Sequence, residues 1–285
     1  MHAEHVVSRV DTSRTAWDSS DPRPVRIHVT EPTRPLPGRP GVVVSHGTGG
    51  SAASMGWWTE ALAEAGFVTL AVDHHGNNIV DGYAPQAFVA WWDRPLDLSF
   101  ALDALPELDL GPIAAAGFSA GGYTAAALTG ARVDAGVFTA LVDGTISAPP
   151  TPEFPDLRSA IERETTAAER ADWPERAAAD LRDPRVRAAV LLCPALGPMI
   201  TAESLADVTV PVAVRWAGAD TITPATENAK RYTALIPGAD GDCAAEEAEH
   251  YWFLRHVPEG APVRDRVAAD TVAFLTRHLV GPTDR

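Results

Sequence analysis

Short apolar runs alternate along the chain with segments whose apolar positions recur at helical spacing. Val42-Val43-Val44-Ser45, bounded by Gly41 and Gly47, reads as a buried strand. Trp57 to Ala65 (WWTEALAEA) has helical spacing and stops at Gly66. Phe67 to Val72 is again a strand, and Leu96 to Leu105 a helix with Pro95 near its start and Pro106 at its end. Ile113 to Phe118 predicts a strand that runs into a helix opening with glycines, SAGGYTAAALTG. Ala188 to Cys193 and Val210 to Trp216 predict further strands, and Val263 to Leu279 a final helix. This alternation predicts an α/β protein with a mostly parallel central sheet and helices on both faces.

Three stretches depart from the rhythm. The opening segment, to about Pro40, is rich in proline and arginine and contains one predicted strand, Val25 to Thr30. Residues 143–187 begin with a proline-rich turn region and continue dense in Glu, Arg and Ala, with no strand signal. They read as a helical cap or lid inserted into one domain that spans residues 1–285. Asp240 to Glu249 (DGDCAAEEAE) stands where a strand is expected but lacks β-branched residues, so it is a weak one.

Composition narrows the function. With 46% hydrophobic and 21% charged residues, the 285-residue chain is of ordinary globular type. Acidic side chains number 38 against 23 basic ones, a net charge of −15, and such a surface repels nucleic acid and anionic membranes. No apolar stretch approaches the roughly 20 residues a membrane span requires. The N-terminus has no basic segment followed by an apolar one, so a cytoplasmic protein is expected. Cys193 and Cys243 have no metal-type spacing and are too few for a disulfide framework, although one bridge stays open. The oligomeric state is left open too.

The sharpest chemical signal is Gly117-Phe118-Ser119-Ala120-Gly121, a G-x-S-x-G between a strand and a helix. A nucleophilic serine needs a tight strand-to-helix turn to project above the sheet, and flanking glycines relieve the crowding there. Ser45-His46-Gly47-Thr48-Gly49-Gly50 follows another strand. A glycine-rich loop in that place supplies the second half of an oxyanion hole, so the Thr48 and Ala120 amides are the candidate donors. A phosphate-binding loop is the competing reading, weakened by the absence of G-x-G-x-x-G and of a P-loop lysine.

A serine needs a base and the base an orienting acid, in the order Ser, Asp or Glu, His. Downstream of Ser119 the histidines are His250, His256 and His278. His278 belongs to the terminal helix and His256 precedes Val-Pro. His250 lies between the weak strand and an aromatic run, where a catalytic loop belongs. Asp220, directly after the strand VPVAVRW, is preferred as the acid over Asp207, Asp240 and Asp242. The interval from Ser119 to Asp220 has room for the cap. Trp91, Trp92, Tyr251 and Trp252 are candidates for the substrate pocket, with core packing as the alternative for each. Asp73-His74-His75 are poorly spaced for a metal and read as loop-ordering residues, so no metal is expected.

Taken in order, DTSRTAWDSSDPRPVRIHV, VVVSHGTGG, AVDHHGNN, FVAWWDRPLDLSFALD, AAAGFSAGGYTAAAL, LLCPALG, AGADTITP and EHYWFL resemble bacterial α/β-hydrolases of the dienelactone-hydrolase-related, platelet-activating-factor-acetylhydrolase-like family. The resemblance covers nearly the whole chain. It implies an α/β-hydrolase fold, ester hydrolysis without a cofactor, and Ser119, Asp220 and His250 as a triad, with Thr48 and Ala120 at the oxyanion positions. Dienelactone hydrolases proper use a cysteine where this chain has Ser119. The expected substrate is a small-molecule carboxylic ester of short to medium acyl chain. Acyl transfer, cyclisation or amide cleavage at the same site is the alternative, and a non-catalytic binding protein on the same fold is the third reading.

Overall fold

An eight-stranded sheet organises the chain; the computed structural model describes residues 2–146 and 151–280. The strands are β1 (His2–Thr15), β2 (Pro22–Pro32), β3 (Gly41–Ser45), β4 (Val68–Asp73), β7 (Ile113–Phe118), β8 (Val186–Leu192), β9 (Val212–Ala217) and β10 (Asp240–Ala245), with the short β5 (Asn77–Asn78) and β6 (Gly82–Tyr83) forming a separate ribbon. Their order across the sheet is β1-β2-β4-β3-β7-β8-β9-β10. From β4 to β10 all neighbours are parallel, while β1 and β2 join antiparallel.

The helices are α1 (Gly56–Glu64), α2 (Asp93–Asp103), α3 (Ala120–Ala127), α4 (Ala135–Val142), α5 (Leu157–Glu164), α6 (Trp173–Ala177), α7 (Ala202–Ala206), α8 (Ala229–Leu235) and α9 (Ala261–Leu275). Alternation along each strand sorts them onto two faces. Val42, Val44, Ala114, Ala116 and Val190 pack with Trp58 and Leu62 of α1 and Val267 and Phe274 of α9. Val43, Leu70, Ala115, Leu191 and Val214 face Leu98 of α2, Tyr123 of α3 and Tyr232 of α8. The α/β sheet with helices on both sides is therefore as the sequence pattern predicts.

The strand order reverses between β3 and β7: from β3 the chain winds outward to β4, and from β7 it winds the other way to β8, β9 and β10. In an open α/β sheet such a switch point leaves a crevice at the carboxyl ends of the strands. Ser45, the last residue of β3, sits opposite Gly117 near the end of β7. The two glycine-rich motifs therefore emerge side by side.

Of the two edge strands, β1 was not predicted and β10 forms where only a weak strand was expected. β1 pairs with β2 from His2↔Pro32 to Asp11↔Arg23, yet its side chains are mostly exposed and carry no apolar alternation. β10 pairs in parallel with β9 despite its acidic composition. Its start is held by the Arg215 guanidinium, which donates to the Asp240 carbonyl at 2.7 Å and carboxylate at 3.0 Å. Between residues 151 and 185 the chain forms α5, α6 and turns, with no strand; residues 147–150 of the expected cap lie outside the described residues. Cys193 and Cys243 are both free thiols.

Candidate active site

The turn between β7 and α3 is built by backbone contact. A Cβ on Gly117 would lie 2.0 Å from the Gly121 carbonyl oxygen, and one on Gly121 would lie 2.0 Å from the Ser45 carbonyl oxygen. Only glycine lets the chain turn this tightly against β3. Ser119 itself is forced to φ 58° and ψ −119°, a conformation L-residues rarely adopt. Four backbone bonds over-determine it: its N–H donates to Leu192 O at 2.9 Å, and its carbonyl accepts from Gly122 at 2.9 Å, Ala195 at 3.0 Å and Tyr123 at 3.3 Å.

The three side chains singled out for nucleophile, base and acid meet in one hydrogen-bonded line. His250 Nε2 lies 3.0 Å from Ser119 Oγ, and His250 Nδ1 lies 2.7 Å from Asp220 Oδ2. All three are buried. Asp220 stands just past the end of β9, and its Oδ1 accepts the Ile222 and Thr223 N–H groups, both at 2.8 Å. The Thr223 hydroxyl donates to Oδ2 at 2.8 Å. Burial alone would raise the Asp220 pKa; the hydrogen bond and charge of His250, with the Thr223 bonds, outweigh it and hold the carboxyl below its ordinary range. The acid is thus ionised, and its His250-facing oxygen accepts a hydrogen bond from the Nδ1–H. The competing histidines, His256 and His278, are exposed.

Thr48 is exposed on the loop after β3, and Ala120 is the first residue of α3, where the N–H has no intrahelical acceptor. The loop around Thr48 is pinned from below. Gly49 N–H donates to Asn77 Oδ1 at 3.0 Å, and Tyr83 O–H donates to Gly49 O at 3.0 Å. His46 is fully buried; burial first, then the Arg94 charge, push its pKa well down. Its neutral ring donates from Nδ1 to Gly47 O at 2.6 Å and accepts the His74 N–H at Nε2, 3.2 Å. His74, depressed to about 4 by burial and by Arg94, bridges Asp97 Oδ2 at 3.0 Å and Ser45 Oγ at 2.8 Å. His74 thus links α2 to β3, and His75 Nε2 accepts the Trp17 N–H at 3.2 Å.

The pocket candidates divide. Trp91 and Trp92 are core residues, set edge-on to Phe138, and Trp92 also packs against Trp173 beneath the Arg176 guanidinium. Trp92 is 1% exposed, so in this conformation it offers no face to a ligand. Tyr251, 49% exposed, stands beside His250, and Trp252 is half-buried. A cavity of about 350 Å³ among α4, α5 and α6 is walled by Val89, Phe138, Leu141, Ile161 and Trp173; Ser119, Asp220 and His250 do not border it.

Sulfur, carboxylate and imidazole ligand atoms of Cys193, Asp220 and His250 fall within 4.8 Å of one another. As a metal set they compete with the Asp220–His250 hydrogen bond. The thiol is also held protonated, pushed well above its ordinary range by burial and by Asp220. The sequence reading passed over Thr223, Asn77 and Arg94. Thr223 carried a local signal, a threonine three residues after the acid in a turn; the other two are brought to the site only by folding.

A model of the alpha/beta hydrolase family matches residues 13–262, and the chain belongs to that family. Its members are generally hydrolases, which supports a hydrolase-type function here. No curated protein matches the chain. Among the described residues no helix is long and apolar enough to cross a membrane.

Proposed function

We propose that the chain is a cofactor-independent serine hydrolase of carboxylic esters, akin to the dienelactone-hydrolase-related, platelet-activating-factor-acetylhydrolase-like enzymes whose motifs it resembles. The observation that carries this reading is the continuous line Ser119 Oγ, His250, Asp220 at 3.0 and 2.7 Å. His250 Nε2 takes the Ser119 hydroxyl proton as Oγ attacks the ester carbonyl carbon. The resulting oxyanion faces the Ala120 and Thr48 amides. Collapse breaks the ester C–O bond, and the imidazolium returns its proton to the departing alkoxide. Water, deprotonated by His250, then attacks the acyl-serine and releases the acid. Asp220 stays ionised throughout, fixing the tautomer and stabilising the imidazolium.

The rim favours an apolar ester. Ile222 and Tyr251 are exposed on the loops that carry Asp220 and His250, and Ile79, Val80 and Tyr83 are exposed on the segment after β4 whose Asn77 and Tyr83 bond Gly49. The described part of the expected cap stands beside this mouth, where Glu153 fills the space next to Gly49 and Phe154 packs on Phe88. The test is hydrolysis of p-nitrophenyl esters from acetate to decanoate by wild type and Ser119→Ala, with folding checked by circular dichroism. We expect a loss in kcat of at least about 10⁴-fold in the variant, and phosphonate labelling of wild type at Ser119. Turnover unchanged by Ser119→Ala overturns the reading.

A further inference from the structure

Arg94, the second residue of α2, is a fully buried cation at the switch point of the sheet. Among the described residues no carboxylate pairs with it directly. Arg23, equally buried, grips Asp97 with two bonds of 2.8 and 2.9 Å. Burying a cation without an ionic partner is costly, and an uncharged side chain of similar length would fill the space at lower cost. Burial pulls the Arg94 pKa down to about 9, with Asp97 opposing, so the group is charged at neutral pH.

Its acceptors explain its presence. Nη1 donates to Asn77 Oδ1 at 3.1 Å, the same oxygen that takes the Gly49 N–H at 3.0 Å. Nη2 donates to Ser45 Oγ at 3.3 Å and to the His46 carbonyl. Nε donates to Thr124 Oγ1 at 3.2 Å, and that hydroxyl donates to the Ala120 carbonyl at 2.9 Å. One planar guanidinium therefore ties the loop that carries Thr48 to the helix turn that carries Ala120.

We propose that Arg94 is the positioning residue of the oxyanion hole: its forked hydrogen bonds set the spacing between the Thr48 and Ala120 amides, and its charge lies behind them. The proposal rests on the ester-hydrolase reading above. Donors fixed before the reaction act only when negative charge develops on the carbonyl oxygen, so the effect belongs to the transition state and not to substrate binding. A lysine keeps the charge but lacks the fork that spans these acceptors.

The test compares wild type with Arg94→Lys. Measured are kcat and KM, and the inhibition constants of a trifluoromethyl ketone, which forms the tetrahedral adduct, and of the matching methyl ketone, a ground-state mimic. Hydrogen–deuterium exchange of the peptide covering residues 45–50 is followed in parallel. Expected are a fall in kcat of about 10–100-fold, KM within about twofold, weaker trifluoromethyl ketone binding by the same factor as kcat, an unchanged methyl ketone, and faster exchange. A folded Arg94→Lys with wild-type kcat overturns the proposal, and so does a parallel loss of both ketones and of thermal stability. Should that variant not fold, Asn77→Ala, which cuts only the link to Gly49, must show the same kcat-only loss, and wild-type kcat there overturns it. If wild type neither cleaves esters nor reacts with a phosphonate, the ester reading falls by itself. Exchange then decides the positioning role: unchanged protection in Arg94→Lys ends it.

Discussion

At the corner between β7 and α3, backbone rests on backbone; in α5 and α6, side chain rests on side chain. The corner leaves no space beside Gly117 and Gly121 for one methyl group. The segment 151–185 buries few residues, chiefly Ala160, Ile161, Trp173 and Ala177, and displays ion pairs such as Arg158–Glu162 to solvent. It meets the body through Phe154 on Phe88, Trp173 on Trp17 and Trp92, and Arg176 reaching Asp93 at 3.7 Å. Side-chain contacts of this kind can be exchanged for others of similar size. Backbone contacts cannot, because every residue but glycine adds the same Cβ. The corner therefore tolerates no added Cβ, whereas the segment beside it can exchange side chains of similar size.

The largest expected break is Gly121→Ala. Its Cβ meets Ser45 and His46 backbone atoms at 2.0 to 2.8 Å, so α3 must lift off β3. A destabilisation above about 4 kcal/mol is expected in urea unfolding, and a variant within 1 kcal/mol (about the centre of the range for point mutants) would show that the corner is not rigid.

Acid is the next lever, acting on the support beneath the corner and not on the exposed pairs of α5. His74 has its ordinary value of 6.5 when unfolded and about 4 when folded. As pH falls through that window, the unfolded chain takes up a proton that the folded one refuses, so stability falls by up to about 3 kcal/mol. His46 and His75, also depressed by burial, add in the same direction. The urea midpoint should drop between pH 7 and 4.5, less steeply in His74→Gln; a flat profile in wild type would contradict neutral buried histidines. The smallest effect is expected from Gly144→Ala, at the foot of the helical segment. The atoms nearest a Cβ there belong to the flexible Arg158 side chain, leaving the strain of φ +81°, about 1 kcal/mol. A loss matching that of Gly121→Ala would erase the contrast between the two regions.

The parts of the fold legible in the sequence were those buried on both sides or on one. β3, β4, β7 and β8 are wholly or almost wholly buried, and their apolar runs stand out. β1 escaped because its mostly exposed edge position demands no apolar pattern; its ladder to β2 is made by peptide groups that every residue possesses. β10 was weak for the same reason. Trp91 and Trp92 show the opposite failure, since an aromatic pair looks alike in sequence whether it lines a pocket or fills a core. Arg94, Asn77 and Thr124 come from three separate segments, and no spacing rule links them before folding.

From the sequence alone follow the α/β class, the glycine-bracketed serine, the glycine-rich loop after β3 and the residue types for acid and base. These are local: a turn too tight for Cβ, or an apolar run that must leave water, is written in a few consecutive residues. The sequence already preferred His250 and Asp220; the tertiary structure supplied the 3.0 Å from His250 to Ser119 and the hold on Asp220 by Thr223 and His250 together. It also brought one buried guanidinium within reach of Thr124 and Asn77 at once. Those are distances between groups far apart in the chain, and only the packing of helices on both faces of the sheet brings them within hydrogen-bond reach.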